Sequence, residues 1–349
     1  MESHSFTNNE SGRLCGNRLI RKVPSQYSEE QVAKWLDHIG YPRTLLSSRF
    51  EANLENLQLL MRLQLLSFPF ENTPLHYTKE HVVDVSPQGL YQRLVNQHKG
   101  FGSVCFGNNQ LMLQMLRGLG YRWVRVYPGA ARVNASDDAS SVDFTSLQHQ
   151  VLFVQPSLNG LETYMVDVGW GGSGLARPIL LCDGCTVAGT APPEEHRLVH
   201  GAHSESSVDY CFWRLQVRCG QHQPQWRTMY QFSETEFFAA DFDVWNYVGA
   251  QRPPDGPLWR TNPFMAQVLC VRYFLTDDLG HMGRLVLSRD RVKRQIGDKS
   301  QVIRTLRNEW ERIAALRELF GLAIEETDAS YIQGLPSALV NSYEVRSRL

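Results

Sequence analysis

The 349-residue sequence predicts an α+β fold: an N-terminal helical bundle, a central antiparallel β-barrel and a C-terminal α/β lid. Three observations carry that reading. Up to Gly120 the apolar residues recur at intervals of three and four between Gly and Pro stops. After Gly120 they gather into short β-branched and aromatic runs separated by Gly, Pro, Asn and Asp clusters. Near Phe237 the pattern becomes mixed. The expected division is residues 1–26 a polar tail, 27–121 the bundle, 122–235 the barrel and 236–349 the lid.

In the tail, Leu19, Ile20 and Val23 are the candidate anchors. Structure begins at Ser28. There Ser28 and Gln31 have capping-box spacing, and Val32, Trp35, Leu36 and Ile39 fall on one helical face before Gly40 and Pro42. A second helix is expected from Asn53 to Ser67, ended by Pro69. A third opens at Ser86-Pro87 with Leu90, Tyr91, Leu94 and Val95 on one face, and a fourth runs from Phe106 to Leu119. Strands are expected at Trp123 to Tyr127, Gln150 to Gln155, Thr163 to Val168, Cys211 to Arg218 and Trp226 to Phe232. Asn134 to Thr145 and Cys182 to Ser207 read as long polar loops between them. Strands around Val268 to Phe274 and Arg284 to Leu287 precede a last helix. Its apolar stripe is Ile303, Leu306, Trp310, Ile313, Leu316 and Phe320, with Arg304, Arg307, Arg312 and Arg317 on a solvated face and Gly321 as its stop.

Composition narrows the function. A chain of this length buries a large core, which excludes a disulfide-stapled miniprotein; 42% hydrophobic and 20% charged residues exclude a disordered one. A formal net charge of -1 removes the electrostatic attraction on which nucleic-acid binding rests. No apolar run reaches the roughly 20 residues of a membrane helix, so no membrane is expected. Seven cysteines are an odd number for a disulfide framework, and no apolar leader precedes them, which points to a reducing cytoplasmic interior; a monomer is expected. Ser347-Arg348-Leu349 reads first as a polar frayed end and second as a peroxisomal address.

Three segments carry chemistry, in the order Cys, His, Asp. Lys99-Gly-Phe-Gly-Ser-Val-Cys105 is a Gly-rich turn that delivers a cysteine to a helix N-terminus, where backbone N–H groups and the helix dipole favour a thiolate nucleophile. His149 opens an apolar strand. Asp167 ends another, in Val166-Asp167-Val-Gly-Trp-Gly-Gly, where an unpaired buried carboxylate would be costly. A hairpin between those strands, turning at Asn159-Gly160, places imidazole beside carboxylate and makes a Cys-His-Asp triad. Cys182-Asp-Gly-Cys185 reads as a β-turn with two incidental cysteines; a structural zinc needs four ligands, so no metal is assigned.

These segments resemble the arylamine N-acetyltransferases. The likeness runs from about Tyr27 to Leu339 and takes in Phe68-Pro-Phe-Glu-Asn72, the Cys105 loop with Asn109-Gln110 behind it, His149-Gln-Val, Val166 to Gly172 with Arg177-Pro178, Asp241 to Asn246 and Glu309 to Gly321. The resemblance implies the three-part fold with a cysteine-protease-like catalytic core and Cys105, His149 and Asp167 as the triad. It also implies acetyl-CoA or another acyl-CoA as co-substrate, a primary arylamine or hydrazine as acceptor, and no tightly bound cofactor. By position Thr145, Ser146, Trp170 and Phe70 fall among ligand contacts. The chain departs from the family's Arg-Gly-Gly, aromatic, Cys loop: Phe101, Gly102, Ser103 and Val104 precede Cys105, so the usual arginine is absent, and Gly107 replaces a larger residue. Pro253 to Pro257 replaces a coenzyme-contacting turn. Competing readings are a family member altered for biosynthetic amide formation or for binding coenzyme A without turnover, and a cysteine protease or transglutaminase.

Overall fold

The structure, a computed structural model, describes residues 11–42, 51–119, 125–136, 138–157, 160–203, 205–220, 223–251, 263–278 and 280–339. The peroxisome-like tripeptide, Pro253 to Pro257, Trp123 and Asn159 lie outside these residues.

The helical third forms as the periodicity requires. Helix α1 (Glu29–His38) starts on a capping box, Ser28 Oγ accepting from Gln31 N while Gln31 Oε1 accepts from Ser28 N. It buries Val32, Trp35 and Leu36. Helix α2 (Leu54–Ser67) is capped by Asn53 and ends as Pro69 approaches. A short helix α3 (Pro74–Tyr77) follows, then α4 (Pro87–Leu90), which continues as a π-helical stretch, Tyr91–Asn96. Helix α5 (Cys105–Gly118) is buried from Cys105 through Leu116 and is the central helix of the molecule.

Eight antiparallel strands then curl into a nearly closed barrel in the order β5-β4-β3-β2-β9-β8-β7-β6. They are β2 (Arg125–Asn134), β3 (Phe144–Gln155), β4 (Tyr164–Val166), β5 (Ile179–Leu180), β6 (Thr186–Ala188), β7 (Glu194–Ala202), β8 (Cys211–Cys219) and β9 (Gln223–Phe232). Two of these correct the reading of Cys182 to Ser207 as loop: β6 and β7 lie inside it and pair Val187 with His196. The signal was hidden because the inward positions of β7 are Glu194, His196 and Leu198, polar in two of three cases. Asn134 to Thr145 is likewise shorter as a loop than expected, since β3 already begins at Phe144.

Helices α6 (Ala239–Gln251) and α7 (Pro263–Ala266) lead to a five-stranded antiparallel sheet in the order β1-β10-β11-β12-β13. Its strands are β10 (Leu269–Leu275), β11 (Met282–Ser288), β12 (Arg291–Ile296), β13 (Lys299–Thr305) and an edge, β1 (Phe70–Glu71), donated by the helical third. Helix α8 (Glu309–Glu318) packs its Ile313 and Leu316 against Leu287 and Val292 of this sheet. Two further expectations fail here. Ile303 belongs to β13 and Trp310 is exposed, so the apolar stripe holds only from Leu306 through Ile313 and Leu316 to Phe320. Arg312 is fully buried rather than solvated: it pairs with Glu309 and bonds Tyr77 Oη and Ser337 O, which satisfies its charge.

Of the expected tail, residues 11–26 run along the barrel. Thr163 N donates to Gly12 O, Ile20 N to Gln155 Oε1 and Ser25 Oγ to Gln114 O. Ile20 is buried, whereas Leu19 and Val23 are exposed. Among the described residues no helix is long and apolar enough to cross a membrane.

Candidate active site

Cys105 occupies the first position of α5, 3% exposed, after a Val104 that provides no side-chain cap. The first-turn amides of the helix are therefore not taken up by a capping side chain. The Gly-rich turn before it fits under the Phe68-to-Asn72 box: Ser103 N donates to Pro69 O, Glu71 N to Ser103 O, and a Cβ on Gly102 would stand 1.7 Å from Pro69 O. Only glycine permits that approach.

The two departures in this turn compensate each other. A Cβ on Gly107 would lie 2.0 Å from Ser103 Oγ, so the small residue on the helix makes room for the serine in the turn. A different arginine lies under the turn. Buried Glu71 accepts from Thr73 N, Thr73 Oγ1 and Arg93 Nη2 at 2.6 Å, and the Arg93 guanidinium lies 4.0 Å over the Phe101 ring. A cation from the π-helical stretch thus neutralises the carboxylate beneath the turn and covers the turn's own aromatic.

Strands β3 and β4 pair Leu152 with Val166, and this hairpin brings His149 Nε2 to 2.8 Å from Asp167 Oδ2, both side chains sealed from solvent. Cys105 Sγ donates to Gln148 O at 3.6 Å, the residue before His149, and the nearby sulfur adds to the upward push on the imidazole. Burial pulls the His149 pKa down, but Asp167's charge and hydrogen bond, with Cys105, outweigh it and raise the value from 6.5 to about 10. Asp167 is held below its ordinary range: burial opposes this, and His149, Asn109 and the Gly169 N–H overcome it. The carboxylate accepts from His149, Asn109 Nδ2, Gly169 N and Tyr230 Oη, the last at 2.9 Å. That saturation is what makes a buried carboxylate tolerable.

Asn109 enters the sequence reading only as part of the resemblance and not as a site residue, and Tyr230 does not enter it as one. Asn109 had a signal: four residues after Cys105, it sits one turn along the same helix face. There Nδ2 donates to Gln150 O and Asp167 Oδ1 while Oδ1 accepts from Val168 N, locking α5 to both strands of the hairpin. Tyr230 had none, being an inward tyrosine of β9 whose partner is fixed only when the barrel closes.

Trp170 packs edge-on to the imidazole, centroids 5.1 Å apart at 88°. Phe70 faces it across Gly171, whose φ of +83° and lack of Cβ allow the loop to lie on the Phe70 ring. Thr145 is buried, its hydroxyl spent on Val133 N and Ser146 O, whereas Ser146 is exposed. The structure therefore gathers Cys105, His149, Asp167, Trp170 and Phe70 at one place and puts Thr145 and Ser146 at the start of β3. The Cys182 to Cys185 segment closes a turn through Cys185 N to Cys182 O, with Gly184 at φ +75°. Neither of two larger cavities, about 1300 Å³ between residues 11–23 and the barrel and about 600 Å³ beside Arg62 and Arg177, contains a triad side chain.

A family profile described as N-acetyltransferase matches residues 53–329. The N-malonyltransferase FDB2 of Gibberella moniliformis is 28% identical, over 90% of this chain and 96% of that protein. The arylamine N-acetyltransferase of Mycobacterium tuberculosis is 31% identical over 64% of this chain and 69% of its own. Among solved structures, the arylamine N-acetyltransferase from M. tuberculosis superposes with a TM-score of 0.68 at 25% identity, covering 86% of this chain and 99% of that one. The Mycobacterium marinum enzyme in complex with CoA gives 0.67 at 23%, covering 87% and 99%. The fold, the matched span and these relatives agree: the chain belongs to the arylamine N-acetyltransferase family of acyltransferases.

Proposed function

We propose that this acyltransferase moves a short acyl group from coenzyme A to a primary arylamine or hydrazine through an acyl-Cys105 intermediate. The observation that carries the reading is the buried His149–Asp167 pair, 2.8 Å apart, beside a buried Cys105 at the head of α5, with the carboxylate favouring the charged imidazole. Cys105 attacks as thiolate, its proton passed to His149. The new S–C bond forms at the thioester carbonyl, the C–S bond to coenzyme A breaks, and the coenzyme leaves as the thiol with the proton from His149. The acceptor amine then attacks the acyl-cysteine, neutral His149 takes the amine proton, and the amide departs while Cys105 returns to thiolate. First-turn N–H groups of α5 are the natural donors to the tetrahedral oxyanion.

Trp170 and Phe70 form the acceptor side of this site. Ser146, with an exposed hydroxyl, is a contact for the donor side, and Thr145 acts by holding the start of β3. No resident metal or cofactor is needed; acyl-CoA is a co-substrate. The working unit in this reading is a monomer. Malonyl is the second donor reading, favoured by the likeness to N-malonyltransferases over 90% of the chain. Acetyl-, propionyl- and malonyl-CoA against a panel of arylamines and hydrazines, read by thiol release, tests both. Turnover with acyl-CoA is expected, with ping-pong kinetics and an acylated Cys105 detectable by mass spectrometry. Casein hydrolysis without acyl-CoA, or coenzyme binding without turnover, would replace it with the competing readings.

A further inference from the structure

The loop from Gly169 to Gly174 makes the contacts nearest to the triad, yet it is irregular backbone rich in glycine. Such a segment keeps one shape only where its polar groups are fixed from outside. Two buried side chains from different sheets do this. Tyr273 of β10 donates its hydroxyl to Gly171 O at 2.5 Å and stands 3.2 Å from Gly172 O. His196 of β7 donates from Nε2 to Ser173 O at 2.8 Å, which fixes its tautomer and leaves Nδ1 buried without a partner. Behind them Arg284, the cross-strand neighbour of Tyr273, forms a two-pronged pair with Glu194 of β7 at 2.5 and 3.3 Å. Barrel and C-terminal sheet are thus riveted together at the point where each holds a carbonyl of the loop.

The clamped loop carries Trp170, whose edge contact holds the His149 ring. In the free enzyme Asp167 holds that ring through Nε2, and the neighbouring Cys105 sulfur also favours the charged imidazole. Once Cys105 is acylated, its sulfur can carry neither charge nor proton, and Asp167 with the Trp170 and Tyr230 ring contacts must orient the imidazole while it takes the amine proton. We infer that Tyr273 and His196 are positioning residues of the second half-reaction, the aminolysis of acyl-Cys105, acting through the loop that sets Trp170 on His149. This rests on the acyl-cysteine reading.

The test separates the two half-reactions by rapid quench, with acetyl-CoA and malonyl-CoA as donors and 4-anisidine as acceptor. Tyr273→Phe removes one hydroxyl and keeps the ring. It is expected to slow aminolysis about tenfold, the scale of one lost buried hydrogen bond, and to slow acylation less than about twofold. His196→Phe should give the same split, and His196→Gln, which retains a donor, should recover most of the loss. If Tyr273→Phe and His196→Phe slow both steps equally or neither, or if His196→Gln behaves like His196→Phe, the clamp has no role in aminolysis and the inference falls. If the wild-type protein forms no acyl-Cys105 with either donor, the acyl-cysteine reading falls first and the inference with it.

Discussion

His149 and His76 are equally hidden from solvent, and they have opposite electrostatics. His149 faces the Asp167 carboxylate and is pushed up to about 10. His76, on α3, faces Phe264 O, Ser337 Oγ and the Asn72 amide, with the Arg312 cation nearby, and burial takes it down to about 3. Burial alone makes a neutral, structural histidine. A carboxylate with its own donors saturated makes a charged one that can exchange a proton with a neighbouring sulfur. Each region can be broken separately.

The largest separation is expected in activity. Cys105→Ala and His149→Gln should lower acyl transfer by at least about a thousandfold, whereas His76→Gln should leave the thiol-release rate within about twofold. Asp167→Asn removes the charge that holds His149 up, so burial prevails and the ring becomes neutral at pH 7. The rate should fall roughly 10²–10⁴-fold, and the alkaline limb of the pH–rate profile, set by His149 near about 10, should move to lower pH.

In stability the order reverses. His76→Gln loses a donor–acceptor bridge between α3, Phe264 and Ser337 and should cost about 1–3 kcal/mol in urea unfolding. The smallest effect is on the slope of stability against pH. His76 is depressed below 6.5, so below that pH the unfolded chain binds a proton that the fold does not, and stability falls as pH drops toward about 3. Between pH 6 and 5 this group contributes up to about 1.4 kcal/mol per pH unit, a contribution that His76→Gln should remove. His196, also lowered by burial, adds to the acid loss. His149 has the opposite sign: raised above 6.5, its stabilisation is complete below that value and is lost as pH rises through about 10. An unchanged acid slope in His76→Gln would show that its protonation does not differ between fold and coil.

Where local rules and burial agree, the structure could be read ahead. The capped starts of α1 and α2, the cysteine at the head of α5 and the β3–β4 hairpin all follow from patterns within about 20 residues of chain. Legibility ended where inward positions are polar. Strand β7 alternates correctly, but its inward Glu194 and His196 have partners, Arg284 and Ser173 O, that are 90 and 23 residues away. Arg312 was misplaced for the same reason, since Tyr77 lies 235 residues before it. In the site itself Asp167 was conspicuous as a carboxylate ending an apolar strand, whereas the Tyr230 that shares it is an ordinary strand aromatic until β9 meets β2.

The nucleophile turn rests on a late part of the chain. Ala323 N donates to Lys99 O, and a Cβ on Gly100 would lie 2.0 Å from Gly321 O, so the backbone beyond α8 is pressed against the turn that presents Cys105. During translation more than 200 residues must be made after Cys105 before that support exists. The growing chain therefore carries Cys105 without that backing until residue 323 has been made.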